Sequence, residues 1–157
     1  MRIKPAAFTL ILALAVPAQG EEKESWDYVE DGRGSMQIVY GIPESEAVTI
    51  AFWCEPKRKR IEIVTTVLPS RPRKGQPLKT TLSNGTVTAA YDGKIGQDAG
   101  HETFHFAATT PADPKVLDVV RSGTSLTIGI PGKRERVPLR GIAKPLARYE
   151  TACFGKR

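Results

Sequence analysis

Apolar and polar side chains alternate with a period of two along much of this chain. Met36, Ile38 and Tyr40 alternate with Gln37 and Val39. Val48, Ile50, Phe52 and Cys54 share one face, and Thr49, Ala51 and Trp53 share the other. Ile61 and Ile63 alternate with Arg60 and Glu62, and Leu126, Ile128 and Ile130 with Ser125, Thr127 and Gly129. Successive side chains of an extended backbone point to opposite faces, so each run predicts a half-buried strand. Gly32-Arg33-Gly34, Pro56 through Lys59, Asp92-Gly93 and Pro131-Gly132 read as the turns between runs. Asn84-Gly85 reads as a two-residue hairpin turn between Lys79–Ser83 and Thr86–Tyr91.

Two segments have helical spacing instead. Asp113 can cap a short helix that has Pro114 at its first position, Val116, Leu117 and Val120 on one face, and Gly123 at its end. Near the C-terminus, Ile142, Leu146, Tyr149 and Cys153 recur along one helical face. The pattern predicts a mainly β fold: an antiparallel sandwich or barrel with one short helix and a C-terminal helix lying against the sheet. Trp53, on the face opposite Phe52 and Cys54, is then expected to be covered by a helix, as one side of a two-sided core.

The N-terminus changes how the cysteines are read. Arg2 and Lys4 precede an apolar run from Ala6 to Val16, followed by Pro17-Ala18-Gln19-Gly20. That order of basic, apolar and small residues is a secretory signal, with cleavage expected after Ala18 and, as second choice, after Gly20. The apolar run is too short to cross a bilayer, which takes about 20 residues, and no later segment is longer. The expectation is a cleaved signal at 1–18 and one β-rich domain at 19–157, periplasmic or secreted. In an exported chain the two cysteines, Cys54 and Cys153, are expected to form one disulfide, tying the last helix to a strand.

The chain carries a formal net charge of +6. Removal of residues 1–18 takes away two bases and no acid, which leaves a mildly basic domain suited to anionic surfaces. Lys57-Arg58-Lys59-Arg60 is the densest cluster. Its simplest role is a solvated hairpin turn. With Arg71, Arg73 and Lys74, or with Lys133, Arg134 and Arg136, it would form a patch for an anionic polymer. Aromatic residues do not interleave with these bases, which argues against single-stranded nucleic acid.

His101-Glu102-Thr103-Phe104-His105 has the letters of a zinc-hydrolase motif. The chemistry requires a helix, where residues four apart share a face and can ligate one ion. In a strand they lie about 13 Å apart. Thr103, Phe104 and Phe106 favour a strand, with Phe104 and Phe106 on one face and His105 on the other. His101, Glu102 and His105 therefore stay as candidates only, and no metal or cofactor is expected. No nucleophile motif or phosphate loop is present. Asn84-Gly85-Thr86 has the form of a glycosylation acceptor.

Two segments carry a resemblance. One is Val137-Pro138-Leu139-Arg140-Gly141-Ile142-Ala143-Lys144-Pro145-Leu146, running on to Cys153. The other is Val39-Tyr40-Gly41-Ile42-Pro43-Glu44-Ser45 followed by Ala51-Phe52-Trp53-Cys54. Both resemble small uncharacterised exported proteins of alphaproteobacteria, and the C-terminal step into the last helix is similar to the tail of invasion-associated locus B proteins. The resemblance implies a periplasmic β-rich fold without known enzymatic activity, and it assigns no binding residue. The expected function is a non-enzymatic exported module that binds an envelope protein or an anionic envelope component. A zinc-dependent hydrolase and an inhibitor of a secreted hydrolase are the alternatives.

Overall fold

A computed structural model describes residues 23–98 and 103–155. The signal segment, the 1–18 and 1–20 cleavage choices, and His101 and Glu102 lie outside the described residues.

Among the described residues nine strands make one antiparallel sheet: β1 (Ser25–Glu30), β2 (Met36–Gly41), β3 (Val48–Glu55), β4 (Arg60–Thr65), β5 (Pro77–Ser83), β6 (Thr88–Gln97), β7 (Phe104–Pro111), β8 (Ser125–Ile130) and β9 (Lys133–Pro138). Their order across the sheet is β1-β2-β3-β4-β7-β6-β5-β8-β9. The sheet curls until its edges approach. The indole N–H of Trp26 in β1 donates to the carbonyl of Pro138 in β9 at 2.7 Å, and so bridges the two edge strands. The expected alternation is seen along β2, β4 and β8 and in β3 from Ile50 onward, but a bulge opposite Tyr40 and Gly41 turns Val48 to the outer face, away from Ile50, Phe52 and Cys54. Tyr40, Ile50 and Thr65 stand side by side on the inner face, as do Ile38, Phe52 and Ile63, and Met36, Cys54 and Ile61. Most of these inner side chains are fully buried, and they form one core with Leu82, Leu126 and Ile128 from the far side of the curl.

The connection from β7 to β8 holds a single 3₁₀ turn (Pro114–Leu117) and a short helix α1 (Asp118–Arg121). The Asp113 carboxylate accepts the Lys115 N–H at 2.8 Å, as its capping position requires. The C-terminal helix α2 (Ala143–Phe154) buries Leu146, Tyr149 and Cys153, the stripe read from the sequence, and packs against β1 and β2. Cys153 is bonded to Cys54 of β3. Burial of α2 on the inner side of the sheet leaves the outer face of β3 without a helix over it among the described residues.

Two turn readings need correction. Asp92 and Gly93 lie inside β6, not in a turn. Gly93 is on the inner face, where a Cβ would fall 2.3 Å from the Ala107 carbonyl oxygen and 2.6 Å from the Phe106 ring. Glycine is there for a close approach of two strands. The hairpin at Asn84-Gly85 is longer than two residues, because the last strand pair is Ser83 with Thr88. The Asn84 side-chain oxygen accepts the Thr86 and Val87 N–H groups, and its amide donates to the carbonyls of Asp118 and Ser122. This asparagine organises its own loop and fastens it to α1.

Candidate functional site

Strand register sorts every outward side chain into one of two groups. The β6-β5-β8-β9 half sends out Lys94, Lys79, Arg134 and Arg136, interspersed with Thr81, Ser83 and Thr127. Lys79 and Asp92 are cross-strand partners 3.5 Å apart, and Asp92 is the one acid among these outward positions. Gly75 donates to the Ile95 carbonyl and Ile95 to that of Gln76. These bonds place Arg71, Arg73 and Lys74 beyond the end of β5 where the β8–β9 turn also lies, with Lys133 just after it. All eight of these bases are exposed, and among the described residues only Lys79 has an ion pair. Lys79, Lys94, Arg134 and Arg136 present one cationic face, and Arg71, Arg73, Lys74 and Lys133 lie at its end.

The Lys57–Arg60 cluster is not part of it. Lys57, Arg58 and Lys59 sit at the β3–β4 turn, at the end of β4 opposite to Thr65, and Thr65 is the end nearest the 66–76 connection. Five residues of strand separate the two ends, about 16 Å. Arg58 and Arg60 also share Glu55, at 3.2 and 2.5 Å, so one carboxylate offsets part of the cluster's charge. The seven bases first grouped together are therefore divided. Arg71, Arg73 and Lys74 join Lys79, Lys94 and the β9 arginines, a set that sequence proximity does not reveal because strand register assembles it.

The β1-β2-β3-β4-β7 half has a different outer face. Val29, Val39, Ala51, Trp53 and Val64 point outward. Trp53, expected under a helix, is 37% exposed, because α2 occupies the other side of the sheet. It lines a groove of about 280 Å³ with Ala51, Val64, Glu46, Glu62 and Asp98. A neighbouring groove over Val29, Val39 and Pro43 is bordered by Asp27 and Glu44, and the two share Gln37 and Val48. The apolar floors thus run together beneath a rim of carboxylates.

His105 opens into the first groove from β7. Its Nδ1 lies 3.5 Å from the Asp98 carboxylate, and its ring lies over Gly96, whose missing Cβ makes the space. Phe104–Pro111 is a strand, an extended path unlike the helix a two-histidine zinc motif uses. No group of three or more potential ligands is close enough to hold a metal among the described residues. A further hollow between α1 and α2 is lined by Ala147, Phe154 and Arg121. The Arg121 guanidinium is already bound by Asp118 and by Glu150, so it is not free to recruit an anionic ligand there.

Where α2 meets β1, the Arg148 guanidinium lies 4.5 Å from the centre of the Tyr28 ring. Burial, then the hydrogen bond to Glu30, pushes the Tyr28 phenol up to about 12. Tyr149, deeper in the core, is raised further by burial alone. These are structural tyrosines, held neutral.

Compared with protein-family models, with curated proteins and with solved structures, the chain matches none.

Proposed function

We propose that this chain is an exported, non-enzymatic binding domain whose cationic face holds an anionic polymer of the cell envelope. The observation that carries the reading is the segregation of charge. Eight exposed bases gather on one half of the curled sheet and its adjoining loops with a single acid among the outward strand positions. Seven of the eight have no ion-pair partner among the described residues. Rigid strands hold the Lys79, Lys94, Arg134 and Arg136 backbones in fixed spacing, and the 66–76 connection adds Arg71, Arg73 and Lys74 at one end. A face of this kind suits a repeating anion such as a sulfated, phosphorylated or uronic-acid polymer better than a single small ligand, because the charges are spread over several strands and a loop.

Export is supported by the basic-then-apolar N-terminal sequence and by the Cys54–Cys153 bond, which persists in oxidising compartments. The resemblance to exported alphaproteobacterial proteins points the same way. No helix among the described residues is long and apolar enough to cross a membrane.

The test is retention on immobilised heparin, a generic polyanion, across a salt gradient. The wild-type domain is expected to bind at low salt and to elute early as salt screens its charges. A Lys79→Glu/Arg134→Glu/Arg136→Glu variant is expected to flow through, while Lys57→Glu/Lys59→Glu is retained like the wild type. Equal retention of all three proteins, or selective loss in the second variant, would overturn the assignment.

A further inference from the structure

Among the described residues two large apolar side chains are exposed, Val29 at 38% and Trp53 at 37%, and both stand on the outer face of the β1–β4 half. A sheet with one solvated face normally carries polar side chains on that side. Strands β5, β6, β8 and β9 follow the rule. Strands β2, β3 and β4 break it with the exposed Trp53 and the half-buried Val39 and Val64, between which Ala51 is only 4% exposed. A contiguous exposed apolar surface rimmed by polar groups is a mark of an interaction site. The rim here has one sign: Asp27, Glu44, Glu46, Glu62 and Asp98 border the two joined grooves, and neither lining contains a lysine or an arginine. That is a marked local excess of negative charge in a chain whose net charge is +6. The one basic side chain in the lining, His105, already faces Asp98.

We propose that this trough is a docking surface for a partner protein segment that presents large apolar side chains flanked by lysine or arginine. The floor, Trp53 above all, removes apolar surface from water, and tryptophan is the residue type most enriched among those that dominate interface energies. The carboxylates select the flanks. A purely apolar segment would bury them without a counter-charge, and an anionic one would be repelled. A second copy of this chain fits less well. Its own cationic face offers threonine and serine between the bases rather than large apolar side chains, so it supplies the charge without the hydrophobic half of the match. The domain is thereby two-sided, with a polyanion on one half of the curl and a cationic, apolar peptide on the other.

The test uses a fluorescein-labelled peptide of alternating lysine and phenylalanine, with two controls: glutamate in place of lysine, and alanine in place of phenylalanine. Anisotropy is expected to show binding of the first peptide alone. Trp53→Ala should weaken it by about tenfold or more, and Glu46→Lys/Glu62→Lys by a similar factor. Lys79→Glu/Arg134→Glu, on the opposite half, should leave it unchanged. Circular dichroism and a melting curve establish that each variant is folded, and the charge variant carries the test if Trp53→Ala is not. Binding of the glutamate peptide as tightly as the lysine peptide would overturn the proposal, as would binding indifferent to both trough variants. A wild-type dimer in sedimentation that Trp53→Ala converts to monomer would also overturn it, by making the trough an interface between copies.

Discussion

Reduction of the Cys54–Cys153 bond is the perturbation whose size follows most directly from the architecture. The two sulfurs join residues 99 positions apart, so the bridge closes strands β4 to β9 and α2 into one covalent loop and leaves β1, β2 and most of β3 outside it. In the unfolded chain such a closure removes configurational entropy equivalent to about 4.7 kcal/mol. A domain's total stability is about 5–15 kcal/mol, so the loss is a large fraction of the whole. Reduction is a cleaner perturbation than substitution, because Cys54 is fully buried and Cys153 nearly so, and both sulfurs stay to fill their places. In the native state α2 keeps Leu146 and Tyr149 in the core, so the fold is expected to survive reduction in a weakened form. The assay is urea unfolding by circular dichroism, with and without dithiothreitol throughout. With a slope near 2 kcal/mol/M the midpoint should fall by roughly 2 M. A midpoint unchanged by reduction would refute the reasoning, because the link would then not be limiting the freedom of the unfolded chain.

Three further outcomes are expected. Tyr149 is fully buried and its hydroxyl has no hydrogen-bond partner among the described residues. Burial raises its pKa above the ordinary value of 10.0, so its contribution to stability is complete below pH 10 and is lost as pH rises beyond. Tyr149→Phe should flatten that alkaline decline by about 1.4 kcal/mol per pH unit, read from denaturant midpoints at successive pH values. Gly93→Ala would drive a Cβ against the Ala107 carbonyl and the Phe106 ring, and chemical denaturation should report a loss of about 3 kcal/mol. Asp113→Ala removes the acceptor for the Lys115 N–H, and thermal melting should report a loss of about 1 kcal/mol.

The course of the chain was legible where local chemistry and tertiary structure agree. Strands β2, β3, β4 and β8 show in their alternation, because one face of each meets the core. The stripe Leu146, Tyr149, Cys153 shows α2 for the same reason, and Asp113 with Pro114 marks the turn before α1. Gly93 misled because glycine serves a turn and a close strand contact equally well, and only the Phe106 ring across the ladder decides between them. Trp53 misled for a different reason. Alternation assigns a side chain to a face but does not say what lies over that face. The position of α2 on the inner side is a property of the whole curl.

The binding faces were legible only in part. Lys57–Arg60 stands out in the sequence because its bases are adjacent, yet Glu55 takes up two of them. The cationic face draws on β5, β6 and β9 and on the 66–76 connection, segments far apart along the chain, and its bases meet through register. Strand β9, Lys-Arg-Glu-Arg-Val-Pro, reads as a charge cluster. It is an edge strand, where charged side chains discourage further pairing while serving the face they stand on.

The most direct measurement of the central claim is a backbone amide chemical-shift map of the isotope-labelled domain titrated with a heparin oligosaccharide. Concentration-dependent shifts are expected at Lys79, Lys94, Arg134 and Arg136 and along residues 71–74, with Ala51, Trp53 and Val64 unmoved. Shifts centred on Lys57–Arg60, or spread evenly over both halves of the curl, would contradict that claim.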